Sequence, residues 1–519
     1  MKNSIKRKDP SLLTKAISMV LACAIVFGNS TFAFALPTAG KVKSGKATIS
    51  VAGKTMTVKQ FSQDVSLAWS SFNIGKYQTV NFLQPNSSSV ALNFISTASL
   101  IGGKINANGQ VFLMDPFGII FGKNAQINVA GLVAGGMSLD SWKNGVADFS
   151  GTGNVVNEGT ITTAPGGYIA LVGQNTSNTG TMSSRLGTVA MAAGNDVSLD
   201  FTKNSLININ VDKNTLKSTV DNSGVIGANG GKILLSAGAK DSLVASAVNN
   251  TGIIDASSVG TDKGKVSILA GMKAGTVSVS GTIDANGSAL DTSASSVRIA
   301  KNANVFTGED GSWLIDPTSY YIGGSSPDIT GSQLDSLLAS NNITISSTQG
   351  SSGTNGNIYV DSNLNWSNNT LTLKAYNNIL FNNSTIDITG TGALKAYAND
   401  TAAFGVGSGN GTISMSGSSI SAPSGTVEFF YNPSSYSSPT SFSGVSAGTF
   451  IPYLYINSLA DLENLSSTQT STTLANSYAL NNNIGWSSNT AYNFQNRCIF
   501  VRKTRRFEGF NNSGSASKL

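Results

Sequence analysis

Hydrophobic residues in this chain come in short runs broken by Gly, Asn, Asp and Pro. Beyond residue 36 no sustained i, i+3, i+4, i+7 spacing occurs, with 333–339 as a short helical candidate. The stretch from 107 to 129, ANGQVFLMDPFGIIFGKNAQINV, shows the pattern. Val111-Phe112-Leu113-Met114 and Ile119-Ile120-Phe121 flank Asp115-Pro116-Phe117-Gly118, and Ile127-Asn128-Val129 follows Gly122-Lys123-Asn124-Ala125. Each run has strand length. Each break has turn chemistry, with Pro restricting φ and Gly supplying freedom. The pattern predicts many short strands, with turns at 115–118 and 122–125.

The runs repeat. NEGTI ends at Ile161, NTGTM at Met182, NSGVI at Ile226, NTGII at Ile254 and VSGTI at Ile283, in steps of 21, 44, 28 and 29 residues, the second about two of the first. A second phrase is interleaved: GGYIALVG (166–173), LGTVAMAAG (186–194), GGKILLSAG (230–238) and GKVSILAG (264–271). One such unit cannot bury its apolar face alone, but stacked units can. The expected fold is all-β: a right-handed parallel β-helix from about 45 to 300 with roughly 20 residues per coil, capped at its N-terminal end by 36–80. Residues 50–300 would make on the order of 12 coils, about 60 Å long at strand spacing. Asn can stack in ladders at the turns.

Composition and charge narrow the picture. Only 12% of residues are charged and 56 are Gly, which disfavours a compact enzyme core, while 40% apolar content is too high for a disordered polymer. The pI is basic, but the positive charge sits at the ends. Residues 1–35 contribute +4 and 497–519 contribute +5, leaving 22 basic and 25 acidic side chains in 36–496. Without clustered positive charge in the body, nucleic acid is not an expected partner. Lys2, Lys6, Arg7, Lys8 and Lys15 precede an apolar run from Ala16 to Phe27, and Ala33-Phe34-Ala35 fits a small-x-small cleavage site. Residues 1–35 therefore read as a secretory signal peptide for the Sec machinery, cleaved after Ala35. Leu21 and the apolar run continuing past Cys23 argue against lipidation there. No later run is long enough for a membrane-spanning helix. Cleavage would leave Cys498 as the single cysteine, and histidine is absent from the sequence. That removes histidine-based nucleophile systems and most zinc sites.

Four stretches carry a resemblance. LPTAG (36–40), NFLQPNSSSVALNFI (81–95), GGKINANGQVFLMDPFGIIFGKNAQINVAGLVA (102–134) and NEGTITTAPGGYIALVG (157–173) resemble the secretion domain of filamentous haemagglutinin-type exoproteins, the exported partners of two-partner secretion systems. The likeness runs from about 36 to 300. GSWLIDPTSYYIGG (311–324) and ITISSTQGSSGTNGNIYV (343–360) resemble the region that often follows in such adhesins. The resemblance implies that the unfolded chain crosses the periplasm, is recognised by an Omp85-type outer-membrane transporter with POTRA domains, is threaded outward and folds at the cell surface of a Gram-negative-type bacterium. Asp115-Pro116-Phe117-Gly118 stands where the family has an Asn-Pro-Asn-Gly-like motif, so Pro116 and Gly118 match, Asp115 is a conservative change and Phe117 is a departure. ALNFI carries Phe94 where family members tend to have Arg. The residues placed in the secretion motif are Asn93, Asn108, Gly109, Asp115, Pro116, Phe117 and Gly118, with Ala33 and Ala35 at the signal cleavage site.

Other chemistry was weighed on the residues. Glycosidases need paired carboxylates, and Asp196, Asp200, Glu309, Asp310 and Asp316 are scattered, with Glu309-Asp310 reading as an exposed turn. The calcium-binding nonapeptide does not recur. No catalytic residue, metal or cofactor is therefore assigned, and the chain is read as a non-enzyme. Trp313, Trp366, Tyr320, Tyr321, Phe429, Phe430 and Tyr431 read as core and strand filling rather than sugar-stacking surfaces, and Asn-x-Ser/Thr sequons such as Asn86-Ser87-Ser88 follow from composition. Domains are placed at 1–35 (signal peptide), 36–300 (secretion domain), 301–450 (irregular β-solenoid), 451–496 (truncated repeat start) and 497–519 (atypical basic tail, from a truncated or frame-disrupted adhesin). The expected function is a secreted or surface-exposed adhesin contacting glycans or proteins of host or neighbouring cells. The alternatives are the delivery stalk of a contact-dependent inhibition toxin and a secreted carbohydrate-active β-helix enzyme.

Overall fold

The computed structural model describes residues 35–481, apart from 203–204, 212–217, 239–246, 348–355, 400–410, 459, 462–464 and 466–475. Ala33, Cys23, Cys498 and the basic tail lie outside the described residues.

The chain winds as a parallel β-helix with three walls. The phrase ending at Ile161, Met182, Ile226, Ile254 and Ile283 forms one inward column of the first wall, in register from strand to strand. That column begins at Met56 and runs through Val80, Ile105 and Ile127 to Val305, all buried. Its ten members give a stack about 45 Å long at the ordinary strand spacing, shorter than the dozen coils expected. The reason is visible at the 44-residue step. Met182 pairs directly with Ile226, so that step is one coil and not two. The extra residues leave the helix as Asp196–Thr202 and Ser205–Val211.

These two strands join Ser138–Lys143 and Val146–Ser150 in a satellite antiparallel sheet. Its first hairpin turns at Asn144 (φ 53°) and Gly145 (φ 83°), the left-handed pair that a two-residue turn requires. The sheet covers the outer face of the second wall. Phe112 stacks on Trp142 at 5.0 Å and Tyr168 meets Phe201 at 5.2 Å. The Tyr168 hydroxyl donates to Gln110 Oε1 at 2.6 Å, so the ring is buried without stranding its polar end.

The third wall carries a buried polar line. Asn157, Asn178, Asn222 and Asn250 stack in register, and each side-chain amide donates to the next residue's Oδ1 at 2.8 Å. A buried amide that finds both partners within its own column escapes the desolvation cost of an unpaired one.

At the N-terminal end Lys41–Ser44 pairs antiparallel with Asp64–Trp69, and Ala47–Ala52 antiparallel with Thr55–Gln60. The antiparallel part ends there, because Thr55–Gln60 already pairs in parallel with Thr79–Leu83. At the other end the second wall continues in parallel register beyond 316 to Ser477–Leu480. The other two walls break at this joint. The third wall passes from Ser296–Ile299 to a new sheet opened by Tyr320–Gly323. In the first wall the helix Gly331–Leu338 takes the place of a strand, burying Leu334, Leu337 and Leu338. Its surroundings meet the hydrogen bonds a strand would have made. Gln333 Nε2 donates to the Ala303 carbonyl (2.8 Å), Asn341 Nδ2 to that of Val305 (2.8 Å), and Asp335 Oδ1 accepts from the Asn365 N–H (2.8 Å). The anticipated helix at 333–339 is this element.

Candidate functional site

The residues placed in the secretion motif fall at both ends of one strand, Gln110–Met114, except Asn93, which lies on the neighbouring strand Val90–Ile95. At its start, Asn108 pairs with the backbone of Gln84: Gln84 N–H donates to Asn108 Oδ1 and Asn108 Nδ2 donates to the Gln84 carbonyl, both at 2.8 Å. Gly109 N–H donates to Gln84 Oε1 at 3.1 Å. Gln84 Nε2 in turn reaches the Ser89 carbonyl at 2.9 Å. Gln84 Nε2 also donates to Gln60 Oε1 at 3.2 Å, so this one residue of NFLQPN ties together three corners of successive coils.

Asn93 lies inside the second wall, fully buried. It accepts the Trp69 indole N–H at 2.9 Å and donates to the carbonyls of Ala91 and Phe112 at 3.0 and 3.1 Å. These bonds satisfy the buried indole, so Asn93 serves the packing of the first rungs. The neighbouring Phe94 points outward and is 37% exposed.

At the far end of the strand the turn is held by Asp115. Its carboxylate is buried, accepting the Ser99 hydroxyl at Oδ2 (2.6 Å) and the Phe117 N–H at Oδ1 (3.0 Å). Its backbone N–H donates to Gly135 and its carbonyl accepts the Gly118 N–H. Gly118 sits at φ 107° with the Asn154 carbonyl crowding its missing Cβ, which a larger residue could not occupy without strain. Burial pushes the Asp115 carboxyl up to about 6, against the opposing pull of its hydrogen bonds to Ser99 and Phe117. Pro116 is half-buried, whereas Phe117 is 66% exposed. The turn therefore presents an aromatic ring to solvent on a rigid base. The strand separates the two corners by about 16 Å between Gln110 and Asp115, so the motif is a pair of locked corners rather than one pocket.

Ala35, at the expected cleavage site, is half-buried and its carbonyl accepts the Gly75 N–H at 2.9 Å. The acids considered for catalysis stay apart. Asp196 and Asp200 lie on the satellite sheet, Glu309 and Asp310 are exposed on the strand Gly308–Asp316 rather than in a turn, and Asp316 closes that strand. Burial and the nearby Asp291 carboxylate push the Asp316 carboxyl up to about 7. Among the described residues no group of three His, Cys, Asp or Glu side chains converges as a metal site. Of the aromatics, Trp313, Trp366, Tyr320, Phe429, Phe430 and Tyr431 are buried, and Tyr321 is exposed, stacked on Tyr359 at 4.6 Å.

A three-walled parallel β-helix with a covering sheet and a locked N-terminal block defines the class of parallel β-solenoids. The comparisons place it within that class. Residues 33–279 match the family model of the TPS secretion domain. Over those residues, just under half of its length, the chain matches the secretion domain of two-partner secretion exoproteins. It is similar to heme/hemopexin-binding proteins of Haemophilus influenzae, at 30% identity over 272 residues in one (49% of this chain, 29% of the relative) and 48% over 81 residues in another (15% and 9%). The matched segments thus span under a third of those relatives. The solved HMW1 secretion domain from Haemophilus influenzae aligns with 80% of this chain and all of its own, at 21% identity and a TM-score of 0.44. Two-partner exoproteins are secreted or surface-associated in Gram-negative bacteria, and the domain implies an outer-membrane transporter as partner.

Proposed function

We propose that this chain is a non-catalytic adhesin. It is exported through the periplasm as an unfolded polypeptide, recognised by the POTRA domains of an Omp85-type barrel, and displayed as a rod at the cell surface. The observation that supports this reading is the unbroken second wall, which carries the solenoid from within the secretion domain on to Leu480. A parallel rod repeats the same outward positions at each rung, so it offers multivalent contacts to glycans or proteins of a host or neighbouring cell, and weak single contacts add up. Scattered carboxylates favour binding over turnover.

Co-expression with the neighbouring outer-membrane transporter should move a 36–300 fragment into the medium, and deletion of 105–122 should abolish its release. Equal release without any transporter would overturn the export route. For adhesion, beads coated with the full chain should attach to cells, and turnover of a polysaccharide by the same preparation would count against a non-catalytic role.

A further inference from the structure

The charge of the rod is segregated in a way that the overall balance of 36–496 conceals. Residues 36–80 hold six lysines (41, 43, 46, 54, 59 and 76) against the single acid Asp64, whereas 81–496 hold 16 basic and 24 acidic side chains. The expectation of no clustered positive charge in the body is corrected here: the first rungs are basic and the rest of the rod is acidic. All six lysines are exposed.

The same tip displays apolar side chains that the fold does not need there. Val51 is 56% exposed, Phe61 54%, Tyr77 61% and Leu83 51%. They cluster with the lysines at the two ends of the strand Thr55–Gln60. At one end Lys54 Nζ and Lys76 Nζ lie 5.6 and 5.4 Å from the centre of the Tyr77 ring. At the other, Lys59 Nζ lies 5.4 Å from the Phe61 ring and Lys59 is in register with Leu83. Exposed apolar groups rimmed by charge at both ends of one strand mark an interaction surface. Lysines that lie along aromatic rings with their ammonium ends in water are suited to an interface that is apolar on one side and anionic at its boundary.

We infer that the N-terminal tip of the rod binds an anionic lipid surface. The lysines meet headgroup phosphates, and Phe61, Tyr77, Val51 and Leu83 enter the boundary between headgroups and acyl chains. Charge complementarity selects the anionic surface, and the aliphatic members select lipid over a purely polyanionic partner. Such a contact lays or anchors the basic end on the membrane and leaves the acidic body repelled from it.

The test is co-sedimentation of the full chain with vesicles of equimolar phosphatidylglycerol and phosphatidylcholine, against pure phosphatidylcholine, at low salt. Binding to the anionic vesicles alone is expected, weakening as salt rises. Replacing Lys54, Lys59 and Lys76 together by Ala should weaken it about a hundredfold, at about fivefold per lysine. Phe61→Ser with Tyr77→Ser should weaken it about tenfold. Thermal unfolding should be unchanged in both, because these side chains are exposed. The control Lys123→Ala, Lys232→Ala, Lys265→Ala removes the same charge elsewhere and should change binding less than twofold. Failure of the native chain to bind, equal binding to neutral vesicles, or equal loss in the control overturns the inference. So do tip variants that bind vesicles normally but are not released from cells, since they assign the patch to the transporter.

Discussion

The rod packs its interior differently on either side of the joint near residue 310. Before the joint the third wall is lined by aliphatic residues and the four-asparagine line, with the amides of Asn157, Asn178 and Asn222 each pointing at the next rung. After it the aliphatic core continues and is joined towards the far end by a cluster of rings. Phe381 stacks on Phe429 at 6.2 Å, and Phe442 meets Phe429 and Tyr431 edge-on at 5.0 and 5.2 Å. The two solutions fix different things. Hydrogen-bonded amides fix register, because a slip of one residue would turn each amide from the inside to the outside. Rings fix volume, because their edge-to-face contacts fill a wide cross-section at native density.

The largest expected effect is on the ring side. Phe429→Ala should cost about 4 kcal/mol, as a buried ring leaves a cavity that a stacked rod cannot collapse around; chemical denaturation would show it as a lower midpoint. On the amide side Asn178→Leu should cost about 3 kcal/mol, since it strands the Asn157 donor and the Asn222 acceptor. Replacing all four asparagines by apolar residues should cost less than that single change, because the amides leave together and the Gly159 N–H, which donates to Asn157 Oδ1 at 3.2 Å, is the group that loses an acceptor. If the fourfold variant were the worse one, the line would be contributing more than satisfied polarity.

The smallest effect concerns the joint, where the two regions meet. Asp316 is raised to about 7 by burial and by Asp291, and Asp328 to about 6 by burial, against hydrogen bonding from Tyr321 and the charge of Arg298. Asp115, earlier in the rod, is raised to about 6. In each the folded state holds its proton to a higher pH than the unfolded chain, whose carboxyl titrates near 3.8. Stability from these groups is therefore full below about pH 4 and is lost as pH rises towards 7. The melting temperature should rise by a few degrees between pH 7.5 and 4.5, and Asp316→Asn should remove the largest single share of that rise.

Much of this was legible in the sequence because a solenoid repeats its instructions. The Asn-x-Gly-x-Ile phrase names both a wall column and the polar line beside it, and the structure places Ile161, Met182, Ile226, Ile254 and Ile283 in one column. What escaped was whatever the repeat does not encode. A 44-residue step is the same length whether it winds twice or leaves the rod and returns. The helix at 331–338 was readable, but not that side-chain amides and a carboxylate would let it replace a strand. In the secretion motif the residue types were visible, while their division into buried ties (Asn93, Asp115), an exposed tie (Asn108) and an exposed ring (Phe117) depends on which coil lies next to which. The charge of the tip was missed by summing over too long a segment.

The direct pairing of Met182 with Ile226 also bears on how such a chain changes over generations. The register above and below that rung is undisturbed, although its corner releases an excursion about as long as a whole rung. A corner of this kind works as a socket. New sequence can be added, lengthened or exchanged there without renumbering any wall, so novelty on the surface of the molecule is decoupled from the arithmetic of its interior.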